Sequence, residues 1–360
     1  MNIALVHDWL NQSGGAEDVL SVLSEMYPMA PVYTSIYDSH KVNSIFRDVD
    51  IRTSWMNSLP YISSYHHLYL LLYPFYFGRI HLSDYDVVIS NKSGFCHGIN
   101  TGSYTKHICY CLTPTRYVWD IQSYLEYEDY NATLSMIIRA LVKHMQTWDK
   151  KAAEEVDCFI AISSEVQNRI TNYYNRESVI IYPPVNTDRF VPSKRKGSYF
   201  LVVSRLIPYK RIDLVVEACT KLQVPLKIAG EGRDLERLQA MAGDNVEFLG
   251  RVSDNVLPDL IADCKALLFP GLEDFGITPI QAMAAGRPVI AFAGGGALDY
   301  VRDGETGILV SDQTVEEFQK QIIQFDQKQY DQLSIRQFAL RFDRSIFKKQ
   351  ISEFIESVVN

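Results

Sequence analysis

The sequence predicts an α/β protein made of two domains, each built on a parallel β-sheet. Its 360 residues exceed the usual length of one domain, and 47% of them are hydrophobic, which is enough for two cores. Short apolar runs alternate with helical patterns along most of the chain, as in βαβ units. Two adjacent prolines in IIYPPVNTDRF (180–190) interrupt this alternation, because neither a helix nor a central strand accommodates them. We take this segment as the linker.

Continuous apolar runs mark the strands of the first domain, because strands of a parallel sheet are buried on both faces. The predicted strands are 2–6, 30–36, 85–90, 107–111 and 158–163. Helical patterns run from about Ala16 to Met26 and from about Leu134 to Glu155. These elements form one βα series.

A second βα series follows the linker. Its predicted strands are 199–204, 225–230, 245–250, 265–270, 287–293 and 306–311, with helices in the gaps. The tail from about Thr314 to Val359 has an amphipathic helical pattern. Ligands of open α/β sheets bind beyond the carboxyl ends of the strands, so we look for function in the loops at those ends.

Composition excludes some classes of function. The formal net charge of −8 argues against nucleic acid as the main partner, which usually leaves a basic surface. The six cysteines form no CxxC pair and are typical of buried thiols in a reducing cytosol. The N-terminus lacks the pattern of a signal peptide, and the longest apolar-aromatic run, 69–77, is far below the roughly 20 residues that span a bilayer. We expect a cytoplasmic protein.

The loop between the first strand and the first helix carries a glycine pair. In HDWLNQSGGAE (7–17), Gly14 and Gly15 allow backbone amides to approach a ligand, and the start of the following helix favours an anion. A glycine pair is also common in ordinary βα turns. A ligand loop and a simple turn therefore both stay open at this point.

The loop after the first strand of the second half carries two cations. In SRLIPYKRID (204–213), Arg205 and Lys210 lie five residues apart across a turn that contains proline. A diphosphate suits them, because arginine donates two parallel hydrogen bonds and lysine supplies a point charge. The alternative is a solvated basic loop. Another strand end, FLGRVSD (248–254), offers backbone groups that can bind a flat base. The backbone groups predicted to bind the base belong to Gly250, Arg251 and Val252.

The stretch GLEDFGITPIQAMAAGRPVIAFAGGG (271–296) places two carboxylates, a glycine turn and a helix start close together. We expect Thr278 to cap the helix that Pro279 begins, with free amides at the helix start favouring an anion. Glu273 can accept hydrogen bonds from sugar hydroxyls, although helix capping is an alternative role. Gly294–Gly296 close the next turn and can flank the same ligand. The acidic turn and the two cations converge on one place, which favours a binding site.

Together these motifs resemble those of retaining glycosyltransferases of family four, which have the GT-B fold. The segments that carry the resemblance are NIALVHDWLNQSGGAE, HICYCLTPTRYVWD, VIIYPPVNTDRF, SRLIPYKRID and EDFGITPIQAMAAGRPVIA. They look like the branch that contains bacterial O-antigen (WbaZ-like) mannosyltransferases. The resemblance covers essentially the whole chain. It implies two Rossmann-like domains facing a central cleft, with C-terminal helices crossing back to the first domain.

The resemblance also implies a separate role for each domain. An acceptor-binding domain spans 1–183, a nucleotide-sugar-binding domain spans 184–340, and a helix at 341–360 packs back on the first domain. The implied reaction moves a sugar, with GDP-mannose the first choice of donor, to a saccharide or lipid-linked acceptor in surface polysaccharide biosynthesis. It proceeds with retention and without a metal or other cofactor. UDP-sugars stay open as donors.

Residue by residue, the resemblance implies these roles. Arg205 and Lys210 neutralise the donor diphosphate, and Gly15 adds a backbone contact to it. The acidic pair Glu273 and Asp274 binds the donor sugar. The amides that bind sugar and phosphate are those of Phe275, Gly276 and Ile277.

Three positions depart from the family pattern. Gln281 stands where a second glutamate usually binds the nucleoside ribose, and it keeps an acceptor oxygen but loses the charge. Leu112 stands where histidine is frequent, and Asp299 stands where glutamate is more usual. These departures raise the alternative of a non-catalytic or substrate-shifted homologue that binds nucleotide-sugars.

The acceptor site is predicted from aromatic and polar residues on loops of the first domain, because sugars often stack on aromatic rings. These residues are Trp9, Arg116, Tyr117, Trp119 and Asp120. The aromatic and leucine-rich segment 54–80 can form a surface for lipid or for a lipid-linked acceptor, which would make the protein peripheral at the inner face of the membrane. Ordinary core packing is the alternative for this segment.

Two further enzyme classes are disfavoured. A nucleotide-sugar epimerase shares the two-domain fold but needs carboxylate acid and base groups around the sugar, and the first half offers no convincing second one. An NAD-dependent dehydrogenase is disfavoured because the first turn lacks the GxGxxG pattern.

Overall fold

The computed structural model describes residues 1–120, 132–195, 197–325 and 329–359, apart from the side chains of Tyr117 and residues 132–139. These residues divide into two compact units. The first consists of Met1–Pro184 with Phe347–Asn360, and the second consists of Val185–Ile346. Each unit contains a parallel sheet and its own apolar core.

The described part of the first unit contains a sheet of seven strands. The strands are β1 (Ile3–His7), β2 (Val32–Thr34), β3 (Ile51–Arg52), β4 (Val87–Lys92), β5 (Lys106–Cys111), β6 (Cys158–Ala161) and β7 (Ser178–Ile180). Their order is β3-β2-β1-β4-β5-β6-β7, and every neighbouring pair is parallel. All five side chains of β1 are buried, as expected for a central strand of a parallel sheet.

Helices connect these strands. They are α1 (Gly15–Met26), α2 (Ile62–Tyr65), α3 (Tyr73–Phe77), α4 (Arg116–Trp119), α5 (Ala132–Glu154) and α6 (Ser164–Tyr174), with 3-10 turns at Ser44–Arg47, Trp55–Ser58 and His66–Leu72. The ends of α6 show how local sequence sets a boundary. The hydroxyl of Ser163 accepts a hydrogen bond from the amide of Val166 at 3.2 Å, and Asn175 ends the helix in the left-handed conformation at φ 54°.

The second unit has a parallel sheet of six strands within its described residues. They are β8 (Phe200–Val203), β9 (Leu226–Ala229), β10 (Val246–Gly250), β11 (Ala266–Phe269), β12 (Val289–Phe292) and β13 (Gly307–Val310). Their order, β10-β9-β8-β11-β12-β13, is that of a doubly wound dinucleotide-binding sheet. In that order the loops after β8 and β11, which are neighbours, emerge at the same edge.

The remaining helices follow these strands. They are α7 (Ile212–Leu222), α8 (Leu235–Met241), α9 (Leu257–Ala262), α10 (Ile277–Ala284), α11 (Ala297–Tyr300), α12 (Val315–Phe325), α13 (Gln332–Ala339) and α14 (Arg344–Val359), with 3-10 turns at Thr187–Arg189, Pro208–Lys210 and Leu340–Phe342. The tail predicted as one helical pattern is therefore divided. One division lies at Asp343, where the amide of Val185 donates to the carbonyl of Phe342 and the amide of Arg344 donates to the carbonyl of Val185, both at 3.0 Å.

The last helix, α14, returns to the first unit. The ring of Phe347 meets Tyr110 of β5 edge to face at 5.6 Å, and Lys348 pairs with Glu25 of α1 at 3.0 Å. Phe347 and Ile351 are buried, so the helix covers part of the first unit with an apolar side.

No helix in the described ranges is long and apolar enough to cross a membrane.

Two buried histidines should make the first unit sensitive to acid. Burial lowers the pKa of His97 to about 4 and that of His107 to about 3, and the charge of Lys92 also lowers the former. The unfolded chain takes up protons on these rings below about pH 6.5, whereas the folded chain does not, so stability is full above that pH and falls as the pH drops towards 4. We expect the free energy of unfolding to fall by about 1–2 kcal/mol per histidine between pH 7 and pH 5.

Urea unfolding followed by tryptophan fluorescence tests this expectation, because all four tryptophans lie in the first unit. His107→Gln should reduce the dependence on pH, while His40→Gln, at an exposed position, should leave it unchanged. Equal urea midpoints at pH 7 and pH 5 would contradict the prediction.

Candidate functional site

The main candidate site lies at the carboxyl ends of β8 and β11 in the second unit. The loop after β8 carries Lys210 in a 3-10 turn, and the loop after β11 carries Glu273. The ammonium group of Lys210 pairs with Oε1 of Glu273, and both side chains are largely shielded from solvent. They share a small pocket with residues of the two strands. Its lining is Val202, Val203, Ser204, Lys210, Ile212, Leu268, Phe269, Pro270, Gly271 and Glu273.

A second cation precedes Lys210 on the same loop. Arg205 is exposed, and its guanidinium makes no hydrogen bond or ion pair to another residue within the described part of the chain. The ammonium of Lys210 also lies 5.1 Å from the centre of the Tyr209 ring. The loop thus offers one cation already paired with a carboxylate and one guanidinium facing solvent. Such a pair can bind an anion that displaces water from Arg205 and shares Lys210 with Glu273.

The helix α10 begins directly after the acidic turn. Its N-cap is Gly276, at φ 89°, and no side chain caps the first amides. The prediction that Thr278 caps this helix is wrong, because Thr278 and Pro279 already lie inside the first turn. A glycine N-cap in a left-handed conformation leaves the first amides of the helix available, and a helix start of this kind favours anions.

Glycines of the neighbouring loop brace this turn. The amide of Gly296 donates to the carbonyl of Glu273 at 2.9 Å, and the hydroxyl of Tyr300 donates to the carbonyl of Phe275 at 2.7 Å. Gly295 has φ 60°, and a Cβ there would lie 2.1 Å from the carbonyl oxygen of Glu273. Phe275 is buried in the core, so only its backbone is available to a ligand. The turn is held in place from behind by backbone contacts that require glycine.

Gly295→Ala should therefore displace the acidic turn. We expect it to destabilise the second unit by about 1–3 kcal/mol, because the backbone strain of a left-handed alanine adds to a clash with a carbonyl group. Gly304→Ala is the matched control, since Gly304 has φ 78° but open space around its Cβ position. Thermal unfolding of both variants measures the difference. A loss of stability in Gly295→Ala no larger than that in Gly304→Ala would show that the close approach is unimportant.

The other predicted donor residues lie at the end of β10, in the acidic turn and on α10. Gly250 ends β10 at φ 63°, and its carbonyl accepts the amide of Gly230 at 2.8 Å. Arg251 is exposed and Val252 is half-buried. Gln281 lies half-buried within α10, and Asp274 is half-buried in the acidic turn. Strand β9 separates β10 from β8 in the sheet.

In the first unit, the loop between β1 and α1 has a buried frame and an exposed tip. His7 and Glu17 are buried and face each other, with Nε2 and Oε1 3.6 Å apart. Gly14 is the N-cap of α1, again without a side-chain cap, and Gly15 is the exposed first residue of the helix. Acidic groups in the first turn suit the helix dipole. The buried His7 and Glu17 hold the two ends of this loop, and the exposed Gly14 and Gly15 lie between them.

The residues predicted to bind the acceptor lie in different environments. Trp9 is buried in the apolar core, where its ring contacts Tyr73. Trp119 stacks on Tyr173 with ring centres 4.5 Å apart, and Arg116 and Asp120 flank it at the ends of α4. The side chain of Tyr117 lies outside the described residues. The structure thus brings several of them together on α4 and places Trp9 in the core, and their acceptor roles stay predictions.

A buried polar cluster beneath α4 was not predicted. The carboxylate of Asp149 accepts hydrogen bonds from Thr115 at 2.9 Å, from the indole of Trp119 at 2.7 Å and from Tyr174 at 2.7 Å. The ammonium group of Lys92, which is fully buried, lies 3.1 Å from the hydroxyl of Thr115. Burial favours the neutral form of the carboxyl, but the charge of Lys92 and the hydrogen bonds hold the pKa of Asp149 below its ordinary value. The cluster anchors the start and the end of α4.

Part of the chain matches a known protein family. Residues 184–339 match the model of the family described as glycosyl transferases group 1. The match covers almost all of the second unit. The loops after β8, β10 and β11 lie within it.

Curated relatives match parts of the chain at low sequence identity. The O-antigen chain mannosyltransferase RfbU of Salmonella typhimurium is 32% identical over 148 residues, covering 36% of this chain and 40% of the relative. A GDP-mannose-dependent phosphatidylinositol monomannoside mannosyltransferase of Mycolicibacterium smegmatis is 30% identical over 193 residues, covering 45% of this chain and 50% of the relative. The chain spans about half the length of the first curated relatives it matches.

Solved structures match the whole chain. Anabaena HepE in complex with UDP superposes with a TM-score of 0.74 at 19% identity, covering 99% of this chain and 100% of that one. The lipopolysaccharide outer core galactosyltransferase WaaB superposes with a TM-score of 0.68 at 18% identity, covering 99% of both chains. The predicted fold class, GT-B with two Rossmann-like domains, is confirmed.

Proposed function

We propose that the protein is a retaining glycosyltransferase of family four that transfers a sugar from a nucleotide diphosphate sugar to an acceptor hydroxyl. The observation that carries this proposal is the Lys210–Glu273 pair, formed by the two loops that also carry the exposed Arg205 and lead into the uncapped start of α10. A sugar diphosphate needs cations and amide donors for its phosphates and acceptors for its sugar hydroxyls. These are the groups that the loops after β8 and β11 present.

In the proposed reaction, Arg205 and Lys210 bind the diphosphate and stabilise the charge that builds on it as the bond from C1 to the leaving oxygen breaks. Glu273 accepts hydrogen bonds from sugar hydroxyls, and the first amides of α10 bind sugar and phosphate. The acceptor oxygen forms its bond to C1 on the face that the diphosphate leaves. The proton of the acceptor hydroxyl passes to the leaving phosphate oxygen. Positive charge develops at C1 in an oxocarbenium-like transition state, as in other glycosyl transfer.

The cations of the loop after β8 supply positive charge at the leaving group, so we propose that no metal is required. Glu273 and Asp274 then serve the donor sugar. Gly15 adds a backbone amide to the diphosphate in this scheme, as the resemblance to the family suggests.

GDP-mannose is the proposed donor. Mannosyltransferases are among the relatives at 30–32% identity, one of them named for GDP-mannose. Gln281 can bind ribose hydroxyls through its side-chain oxygen, and Gly250, Arg251 and Val252 offer backbone groups to the base. HepE binds UDP, so UDP-sugars belong among the donors to be compared.

The proposed acceptor is a saccharide or a lipid-linked saccharide of surface polysaccharide biosynthesis, of the WbaZ-like branch, handled on the cytoplasmic side of the membrane. The aromatic and charged residues of α4 and its end are the first candidates to contact it. The proposed residues are Trp9, Arg116, Tyr117, Trp119 and Asp120. Of these, Trp9 acts only through packing in the conformation described, because its ring is buried.

The test is a donor panel of GDP-, UDP-, dTDP- and ADP-sugars, measured by thermal shift and by slow donor hydrolysis, with and without EDTA. We expect one donor to stabilise the protein and to be hydrolysed at a rate that EDTA does not change. Loss of turnover in EDTA would contradict metal independence alone. Failure of every donor to bind would contradict the nucleotide-sugar assignment itself.

Binding without turnover, even with lipid-linked acceptors, would favour the non-catalytic homologue. The departures at Gln281 and Leu112 motivate that alternative, and Leu112 is buried at the end of β5. Combining Gln281→Glu with Leu112→His should then raise turnover greatly, whereas an enzyme that is already active should gain little.

A further inference from the structure

One side of the segment that contains α2, the 3-10 turn His66–Leu72 and α3 exposes large apolar side chains. Its five most exposed apolar and aromatic members are between 49% and 81% accessible. They are Tyr61, Tyr65, Leu68, Leu71 and Phe75. We call them the 61–75 surface.

The helical backbone puts these residues on a common side. α2, the 3-10 turn and α3 follow one another without a gap from Ile62 to Phe77. The exposed residues recur three or four positions apart, which is the spacing of neighbours along one side of a helix. Tyr69, at φ −103° and ψ 16°, bends the run between its two halves.

The opposite side of the segment is fixed in the core of the first unit. Ile62, Tyr73, Tyr76 and Phe77 are buried, and the hydroxyl of Tyr76 donates to the carbonyl of Thr34 at 3.0 Å. Ordinary surface helices are apolar towards the core and polar towards water. This segment also exposes large apolar and aromatic side chains, beside the polar Ser64 and His67, and folding of the unit does not explain their exposure.

The segment that carries the 61–75 surface contains no carboxylate of its own. Residues 51–83 contain no aspartate or glutamate, although the chain as a whole has a formal net charge of −8. Arg79 extends the surface with its guanidinium 3.6 Å from the centre of the Phe75 ring. Lys41 reaches the start of α2 through the hydroxyl of Ser63 at 2.9 Å, but it is paired with Asp38. The surface is therefore apolar with Arg79 at one border, while Asp38 accepts a hydrogen bond from Ser63 at the start of α2.

The kinds of side chain match a particular environment. Tyr61, Tyr65 and the half-exposed Trp55 carry a polar tip on an aromatic body, as residues at the boundary of a bilayer do. The ring of Trp55 lies 6.4 Å from that of Phe75, so the indole adjoins the surface. Leu68 and Leu71 lie between the aromatic residues and are the most apolar part of the surface.

We propose that the 61–75 surface binds the face of a bilayer that contains anionic lipids. Leucines enter the boundary between headgroups and acyl chains, tyrosines and Trp55 lie at headgroup level, and Arg79 meets lipid phosphate. The absence of carboxylates from residues 51–83 lets this part of an acidic protein approach a negatively charged surface. The inference does not depend on the proposed reaction, because it concerns the protein without donor or acceptor.

Vesicle co-sedimentation of the full chain tests the proposal. We expect binding to vesicles of phosphatidylglycerol and phosphatidylcholine, weaker binding to phosphatidylcholine alone, and a loss of more than about 10-fold in Leu68→Asp/Leu71→Asp. The control is Leu333→Asp/Ile323→Asp in the second unit. The control side chains are 72% and 51% exposed, against 73% and 52% for Leu68 and Leu71, so both variants place two charges at equally accessible apolar positions.

The depth to which the 61–75 surface enters the bilayer is measured with brominated lipids, which quench the fluorescence of a tryptophan that reaches the acyl chains. We expect quenching in the parent protein that Trp55→Phe removes. Equal vesicle binding by the two double variants, or no binding by the parent, would overturn the proposal. A dimer in sedimentation velocity that only Leu68→Asp/Leu71→Asp dissolves, without vesicle binding, would make the surface a contact between two copies instead.

Discussion

Replacing Lys210 with alanine is expected to slow turnover of the preferred donor by about 10²–10³-fold, because the variant loses a fixed positive charge at the leaving diphosphate. The structure holds the ammonium group against Glu273 at the ends of neighbouring strands, so its position is set before a donor binds. Preorganised charge of this kind acts mainly on the transition state, and the loss should therefore fall on kcat more than on KM. Steady-state hydrolysis of the donor measures both constants.

The matched control is Lys227→Ala. Lys227 also pairs with a glutamate of the second unit, Glu247, at 3.1 Å, but it lies on β9 away from the acidic turn. Its removal should change turnover less than about twofold, because an exposed ion pair contributes little to stability. Turnover in Lys210→Ala within threefold of the parent would remove Lys210 from the catalytic scheme. Thermal unfolding of both variants separates lost chemistry from a displaced Glu273.

Central strands were predictable because burial on both faces leaves a continuous apolar run. The predicted strand 107–111 corresponds to β5 (Lys106–Cys111), and the predicted strand 265–270 contains β11 (Ala266–Phe269). The missed strands, β3 and β7, lie at the two edges of their sheet, and both are short and partly exposed. β3 has only two residues, and β7 runs directly into the proline-containing segment that was taken as the linker.

Other boundaries depend on contacts that the sequence does not display. The tail has one amphipathic pattern across its length, and the break at Asp343 arises from hydrogen bonds to Val185, far away in the chain. Asp343 also accepts a hydrogen bond from the hydroxyl of Thr187 at 2.6 Å. Periodicity continues through such a break, because it reports which side is apolar and not where distant backbone interrupts a helix.

The approach of Lys210 to Glu273 was predictable from the order of the strands. Lys210 and Glu273 follow strands that become neighbours, and they meet as the argument from strand ends requires. The capping role of Thr278 failed because Gly276 adopts a left-handed conformation and begins the helix earlier. Trp9 was chosen for its aromatic ring, yet the ring faces the core. Residue type predicts what a side chain can bind, whereas its direction depends on packing.

The buried cluster around Asp149 left no recognisable signal, since its members come from distant segments of the chain. Asp149 lies in a helix with a polar pattern, and Lys92 ends an apolar strand, where a lysine ordinarily reaches solvent. Here Lys92 is completely buried. Burial lowers the pKa of Lys92, but the nearby Asp149 carboxylate raises it above its ordinary value, so the pair is charged in the folded protein.

Asp149→Asn should destabilise the first unit by about 3–5 kcal/mol, because it removes the carboxylate whose charge stabilises the buried ammonium of Lys92. The new amide group also turns a donor towards the hydroxyl of Thr115 or towards the indole of Trp119, both of which donate to the carboxylate. Urea unfolding at pH 7, followed by tryptophan fluorescence, measures the loss in this unit alone, since the second unit contains no tryptophan.

A double-mutant cycle identifies the cause of that loss. Lys92→Met alone should cost a similar amount, because it leaves the carboxylate buried without its cation, while Lys92→Met/Asp149→Asn should cost clearly less than the sum. Additive losses would show that the two charges are independent and that hydrogen bonding by Asp149 explains its effect. The cluster also fixes both ends of α4, so a large coupling energy would mean that the coupled buried charges of Lys92 and Asp149 position the proposed acceptor residues Arg116 and Trp119. A loss of transfer to acceptor, with donor hydrolysis unchanged, would then follow in any cluster variant that still folds.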